Sequence, residues 1–205
     1  MAWPAAINTH NGLSRTNHCR SLPDVRVVAG DLRGRRIEAP VSDATRPTTD
    51  KVREAVFNAL GSLGVVEGAR IVDLFAGTGA MGIEALSRGA DHCVFVEKDR
   101  AALQVLRTNI KNLDLESRTS VISGDAVLVA GQQRDVDVLI ADPPYGYNEW
   151  GTLLHNVEAG LVVLESDRPV GDIDGWDTIR EKKYGRTFVA FLQRADDSGD
   201  TVEGA

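Results

Sequence analysis

Four consecutive residues, Asp142-Pro143-Pro144-Tyr145, combine an acid, two rigid rings with backbone carbonyls and an aromatic side chain. Such a set can cradle a planar amine. Hydrogen bonds from both N–H groups of an exocyclic amine to the Asp142 carboxylate and the Pro143 carbonyl would localise the nitrogen lone pair and fix its direction. That is positioning more than acid–base power. Tyr145 can stack on the base and Pro144 can border it, provided that the base is unpaired or leaves its helix. A Pro-Pro turn with an incidental acid is the other reading of the same residues.

Three further acids, Asp73, Glu97 and Asp125, each follow or end an apolar run that reads as a strand. Gly77-Thr78-Gly79-Ala80-Met81-Gly82 matches the G-x-G-x-x-G pattern between the first of these strands and a helix. Glycines there permit a tight turn and let a ligand lie against the backbone. Glu97, 20 positions after Gly77, can accept the hydroxyls of a ribose. That pair alone fits a nicotinamide dinucleotide as well as an adenosyl cofactor. Asp73 separates the two, because a carboxylate in the glycine approach repels a pyrophosphate and suits an ammonium or a sulfonium. Asp125, after Gly124, can accept from an adenine amino group.

These side chains need a scaffold that gathers strand ends. From residue 70 the pattern alternates: strand 70–76, helix to about Gly89, strand 93–97, a helix capped by Asp99 with Ala102, Leu103, Leu106, Ile110 and Leu113 on one stripe, and strand 119–123. A short helix at 126–130, strand 136–141, a helix over about 150–159 and strand 161–165 follow, and 178–183 and 187–193 form a hairpin around Tyr184-Gly185. Such alternation implies a parallel sheet with right-handed crossovers, with ligands at the carboxyl ends of its strands. Before it, 25–29 and 35–39 read as a hairpin whose tip and second strand carry Arg33, Arg35 and Arg36, either a solvated edge or a grip on phosphates. Thr45-Arg46-Pro47-Thr48-Thr49-Asp50 then leads into a helix with Val52, Val56, Ala59, Leu60 and Leu63 on one stripe; Thr48 or Thr49 can cap it. The resulting division is a disordered leader at 1–23, a hairpin arm at 24–44, a catalytic domain at 45–194 and an acidic disordered tail at 195–205.

The net charge of −7 is a poor match for nucleic acid, but residues 1–53 carry nine Lys/Arg against five acids. Cys19 and Cys93 sit in unlike contexts, so neither a disulfide nor a metal site is expected, as suits a reducing cytoplasm. No run approaches membrane-spanning length.

The order of glycine turn, acidic strand ends and Asp-Pro-Pro-Tyr resembles the class I S-adenosylmethionine-dependent methyltransferases that act on amino nitrogens. With 45–54 and Asp73-Leu74-Phe75-Ala76-Gly77-Thr78-Gly79-Ala80-Met81-Gly82-Ile83-Glu84-Ala85-Leu86 included, residues 25–194 resemble the bacterial RsmD family, which methylates guanine N2 in small-subunit ribosomal RNA. The resemblance implies a Rossmann-like α/β fold: a mostly parallel seven-stranded sheet, helices on both faces, an antiparallel C-terminal hairpin and a small N-terminal β-hairpin. It implies S-adenosylmethionine as cofactor, leaving as S-adenosylhomocysteine, and no metal. It places Asp73, Ala76, Gly77 and Gly79 at the methionine end of the cofactor, Glu97 and Lys98 at the ribose, and Asp125 with Ala126 at the adenine. Asp142, Pro143, Pro144 and Tyr145 would hold the guanine, with Asp142 also beside the cofactor. Arg46 and Thr48 would close over the ligands, and Arg33, Arg35 and Arg36 would grip RNA. The expected partner is small-subunit rRNA within an assembling ribosomal subunit, met by a cytoplasmic monomer. Tyr147 and Trp150 receive no role. The alternatives are an amino methyltransferase acting on DNA adenine or protein glutamine, an NAD-dependent oxidoreductase and a non-catalytic RNA-binding module.

Overall fold

The computed structural model describes residues 25–39 and 50–195. Arg46, Thr48, the cap at Thr48 or Thr49, Cys19, the leader and nearly all of the acidic tail lie outside the described residues. A seven-stranded sheet forms the centre, with strands β3 (Arg70–Leu74), β4 (His92–Glu97), β5 (Thr119–Ser123), β6 (Val136–Ala141), β7 (Ala159–Ser166), β8 (Trp176–Tyr184) and β9 (Thr187–Arg194) in the order β5-β4-β3-β6-β7-β9-β8. The first five in that order are parallel; β9 pairs antiparallel with both β7 and β8. The two faces divide the alternate residues of each strand. Ile71, Cys93, Phe95, Val138 and Ile140 join helices α1 (Asp50–Leu63), α2 (Ala80–Ser87) and α3 (Arg100–Asn112) in one buried cluster. Val72, Leu74, Val94, Val96 and Leu139 join α4 (Ala126–Ala130) and α5 (Trp150–Leu154) in the other. With both faces covered, the parallel strands are near-continuous apolar runs, which is why the sequence shows them clearly.

The boundaries move by a few residues. The Phe75 backbone is left-handed (φ 59°), so β3 ends at Leu74 and not at Ala76. Helix α5 stops at Leu154, where the Val157 N–H donates to the Leu154 carbonyl and β7 starts early, at Ala159. Leu63, expected on the buried stripe of α1, is 51% exposed. The Gly64 and Val65 N–H groups turn back onto Gly61 and Leu60, so the helix's last residue overhangs.

The N-terminal hairpin, β1 (Val25–Arg26) and β2 (Arg36–Ile37), is docked against the domain. Val25, Val27 and Ile37 belong to the α1–α3 cluster. The Glu84 carboxylate, fully buried on α2, accepts from the Val28 N–H (2.7 Å) and the Ala29 N–H (3.0 Å). Arg53 of α1, also fully buried, lies 3.5 Å from that carboxylate and donates to the Arg26 carbonyl; Arg88 pairs with Glu84 at 2.7 Å. Removing one partner of such a network strands a buried charge, at a cost of roughly 3–5 kcal/mol.

Direction matters for the arginines. The Ser87 carbonyl at the C-terminal end of α2 accepts from the Asp31 N–H (2.8 Å), and Arg35 donates to the Asn112 carbonyl at the end of α3 (2.6 Å). Helices in right-handed βαβ units run antiparallel to their strands, so these helix ends lie at the amino rim of the sheet. Arg33 and Arg35 are exposed there, on the rim opposite Asp142, whereas Arg36 is exposed on the strand that runs back along the α2–α3 face toward the glycine turn, where the Glu38 N–H donates to Asn109 Oδ1 (2.8 Å) and Asn109 Nδ2 donates to the Thr78 carbonyl (2.9 Å).

Candidate functional site

The strand order places the four acids side by side. Asp125, Glu97, Asp73 and Asp142 belong to or follow β5, β4, β3 and β6, which are consecutive neighbours in the sheet. Crossovers leave β3 toward β4 over one face and reach β6 from β5 over the other, so the topological switch point lies between β3 and β6. Asp73 pairs in register with Ile140 and Leu74 with Ala141. Asp73 and Asp142 therefore flank the switch point, where an open α/β sheet binds its ligand.

Each acid arrives in a different state. Asp73 is 2% exposed, and its Oδ2 accepts from the Gly82 N–H at 2.9 Å. Burial raises its carboxyl well above the ordinary range; the Gly82 N–H offsets part of this, and the charges of Asp142 and Glu97 raise it further. Glu97 accepts three backbone N–H groups at 2.8 Å: Gly77 through Oε2, Lys98 and Asp99 through Oε1. It thereby ties the glycine turn to the start of α3. A carboxylate has about four lone-pair directions, so a ribose must share Glu97 with the backbone. Asp125 caps α4 through Oδ1 to the Val127 N–H (3.0 Å), and its Oδ2 meets Lys98 Nζ at 3.3 Å. Asp142 is half-buried, Pro143 buried and Pro144 exposed. Tyr145 is 59% exposed on a turn closed by the Tyr147 N–H to the Pro144 carbonyl (3.3 Å), with Gly146 at φ 82°.

The glycines divide their work. A Cβ on Gly82 would lie 2.3 Å from the Phe95 ring, and one on Gly79 2.4 Å from Leu106, so these two let α2 and α3 close onto the sheet. On Gly77 (φ 53°) it would meet nothing nearer than the Phe75 carbonyl at 3.9 Å, so that backbone faces open space. Ala76 and Ala126 are buried and offer a ligand only backbone. Gly82→Ala is accordingly expected to lower stability by roughly 1–3 kcal/mol with cofactor affinity per folded molecule little changed. Gly77→Ala adds about 1–2 kcal/mol of left-handed strain and should weaken cofactor binding more than tenfold. Calorimetric melting and titration with S-adenosylhomocysteine read the two effects separately.

Two aromatic residues to which the motifs assign no role, Phe75 and Tyr147, stand beside the glycine turn. The Phe75 ring meets Tyr147 edge-on (centroids 5.6 Å apart), and Tyr147 meets the buried Trp150 at 4.8 Å. The contact with Phe75 puts the Tyr147 ring on the same rim as the acids, and burial, then the charges of Glu149 and Asp125, raise its hydroxyl's pKa. An aromatic residue just before the glycine turn was the available signal; its left-handed backbone was not visible. Among the described residues, no three His, Cys, Asp or Glu side chains are placed to hold a metal, and no helix is long and apolar enough to cross a membrane.

Residues 25–193 match the family model described as conserved hypothetical protein 95. The chain is 38% identical over 187 residues to YlbH of Bacillus subtilis (strain 168), named "Putative rRNA methyltransferase", covering 83% of this chain and 99% of that one. It is 33% identical over 192 residues to "Ribosomal RNA small subunit methyltransferase D" of Escherichia coli (strain K12), covering 89% and 96%. Among solved structures it resembles the protein titled "Putative methyltransferase yhhF from Escherichia coli", with a TM-score of 0.72, 32% identity and coverage of 83% and 98%.

Proposed function

This chain belongs to the conserved hypothetical protein 95 family, the RsmD family of class I methyltransferases, and from that premise we propose that it methylates the exocyclic N2 of a guanine in small-subunit ribosomal RNA with S-adenosylmethionine. The observation that carries the reading is Asp142-Pro143 at the switch point, one strand from the buried Asp73. Four neighbouring carboxylates suit a ligand bearing an ammonium, a sulfonium and hydroxyl donors, and they disfavour a diphosphate. Open space at Gly77 leaves room for the ligand against the backbone. The same acids argue against a nicotinamide dinucleotide.

In this reading Asp73, Ala76, Gly77 and Gly79 hold the methionine portion, Glu97 and Lys98 the ribose, and Asp125 and Ala126 the adenine edge. Lys98 must release Asp125 or share it. The cofactor supplies an electrophilic methyl group on sulfur. Asp142 and the Pro143 carbonyl accept the two N–H groups of the target amine and direct its lone pair. Once the amine has taken the methyl group, its surplus proton would pass to Asp142 or to water. Tyr145 and Pro144 pack on the extruded base. Arg33, on the far rim, and Arg36, on the α2–α3 face, would reach only RNA that wraps around that face. The names of the relatives point to ribosomal RNA, and the choice of guanine N2 rests on the resemblance of the motifs.

The test supplies isotopically labelled S-adenosylmethionine with small ribosomal subunits, naked rRNA or DNA, followed by nucleoside mass spectrometry. N2-methylguanosine in rRNA is the expected product. N6-methyladenine in DNA, or label recovered in protein, would replace this reading by one of its alternatives.

A further inference from the structure

Arg33 and Arg35 lie on the rim opposite Asp142 and Arg36 on the α2–α3 face, so charge for the substrate beside Asp142 must come from other residues. The topology points to one place. Strand β9 runs antiparallel to β7, so the turn between β8 and β9 projects at the carboxyl rim, two strands beyond Asp142. In register, Ser166 pairs with Phe188 and Phe188 with Lys183, which sets these three in one row on the α5 face. Beside that row Tyr145, Asp167, Lys183, Arg186 and Phe188 line an open cleft of about 470 Å³, a volume within the range of small-ligand sites.

Its charge is cationic. Arg168 neutralises Asp167, with contacts of 3.0 and 3.4 Å, and holds its carboxyl below the ordinary range. Glu181, on the same face of β8, accepts from the Val170 N–H at 3.2 Å. Lys183 and Arg186 are exposed, and neither forms an ion pair with a carboxylate among the described residues. Lys183 Nζ stands 4.9 Å over the Phe188 ring, which holds it at the cleft wall. Two aromatic rings and two unpaired cations in one groove are the elements of a single-strand nucleic-acid track. The track adjoins Tyr145, the residue next to the base.

We propose that the cleft between Tyr145 and the β8–β9 turn seats the ribose-phosphate backbone flanking the target nucleotide, with Lys183 and Arg186 on successive phosphates and Phe188 under a neighbouring base. The proposal rests on the RNA methyltransferase reading above. It explains how a chain of net charge −7 holds a polyanion: the attraction is local, where the base must be delivered. Lysines also protect edge strands, and β8 is an edge strand. Protection of that kind makes Arg180 and Lys182 equivalent to Lys183 and Arg186, whereas a substrate track does not. Arg180 and Lys182 pair with Phe191 and Val189, on the opposite face.

The experiment compares Lys183→Gln/Arg186→Gln with Arg180→Gln/Lys182→Gln, using the full chain and naked small-subunit rRNA and intact small subunits as probes. The first pair should raise KM for whichever RNA substrate the wild type methylates at least tenfold, leaving kcat and S-adenosylhomocysteine affinity within twofold. It should also flatten the log–log salt dependence of RNA binding by about 1.4, the loss of two single-strand phosphate contacts. The second pair should match wild type, and Lys183→Arg/Arg186→Lys should restore KM. An unchanged KM and salt slope in the first pair, with wild type active on RNA, overturns this proposal alone. Equal losses in both pairs also overturn it, in favour of general surface charge. Wild-type protein that binds and methylates no RNA overturns the functional reading and this proposal together.

Discussion

Replacing Asp142 by alanine is expected to lower the single-turnover rate of methyl transfer by about two to three orders of magnitude, the scale of losing one preorganised hydrogen-bonding group at a reacting centre. Affinity for S-adenosylhomocysteine should fall only a few-fold. The separation follows from where Asp142 sits. It is half-buried at the end of β6, beside Asp73 and next to a buried proline that fixes its backbone. Its interaction with the amine matters most when the lone pair must point at the methyl group, so its loss appears in the rate more than in ground-state binding. Asp142→Asn should fall between wild type and alanine, because Oδ1 still accepts one N–H group while the amide brings a donor toward another donor. Quench-flow measurement at saturating cofactor checks the rate, and calorimetry checks the affinity. Full activity in Asp142→Ala with an intact fold would remove Asp142 from the chemistry.

The sheet was legible because strands buried on both faces leave long apolar runs, and the glycine turn and the Pro-Pro stop punctuate them. Asp99 is legible as a cap, since an acid before an amphipathic run has a local meaning; its Oδ1 accepts from the Ala102 N–H at 2.8 Å. Asp125 has the same local signature, and it too is a cap, although the sequence suggested a ligand contact. What stayed hidden was decided by tertiary partners. Glu84 stands in the apolar run Ile83–Leu86 and Arg53 in a helix of mixed polarity; nothing local says that they meet with the hairpin backbone between them. The hairpin arginines were visible as charge, but where they lie depends on how Asp31, Arg35 and Glu38 dock on α2 and α3. The same limit hid the cleft at Lys183 and Arg186, which exists only because β9 returns antiparallel to β7.

The acid with the most unusual environment gives the second large effect. Asp73→Asn is expected to stabilise the protein without its cofactor at neutral pH while reducing S-adenosylhomocysteine affinity by about tenfold to a hundredfold, the range of a hydrogen bond to a charged group. Burial raises the Asp73 carboxyl in the folded state well above its ordinary value of 3.8. The folded protein therefore holds this proton more tightly than the unfolded chain does. Stability is full below the ordinary value and is lost as pH rises through the raised one. Asparagine escapes that loss: its carbonyl can still accept from the Gly82 N–H, and its amide can donate toward Asp142 or Glu97, whose charges now repel the carboxylate. A cationic ligand reverses the balance by favouring the ionised form. Wild-type affinity should thus strengthen as pH rises through the raised value, with proton release on binding, and the variant should lack this component. Melting and titration calorimetry from about pH 5 to about pH 8 would show a stability advantage for Asp73→Asn that grows with pH and an affinity deficit that grows with it. A variant that melts lower at neutral pH yet binds S-adenosylhomocysteine as tightly as wild type would make Asp73 a structural acceptor for α2 and move the cofactor's cationic end away from β3.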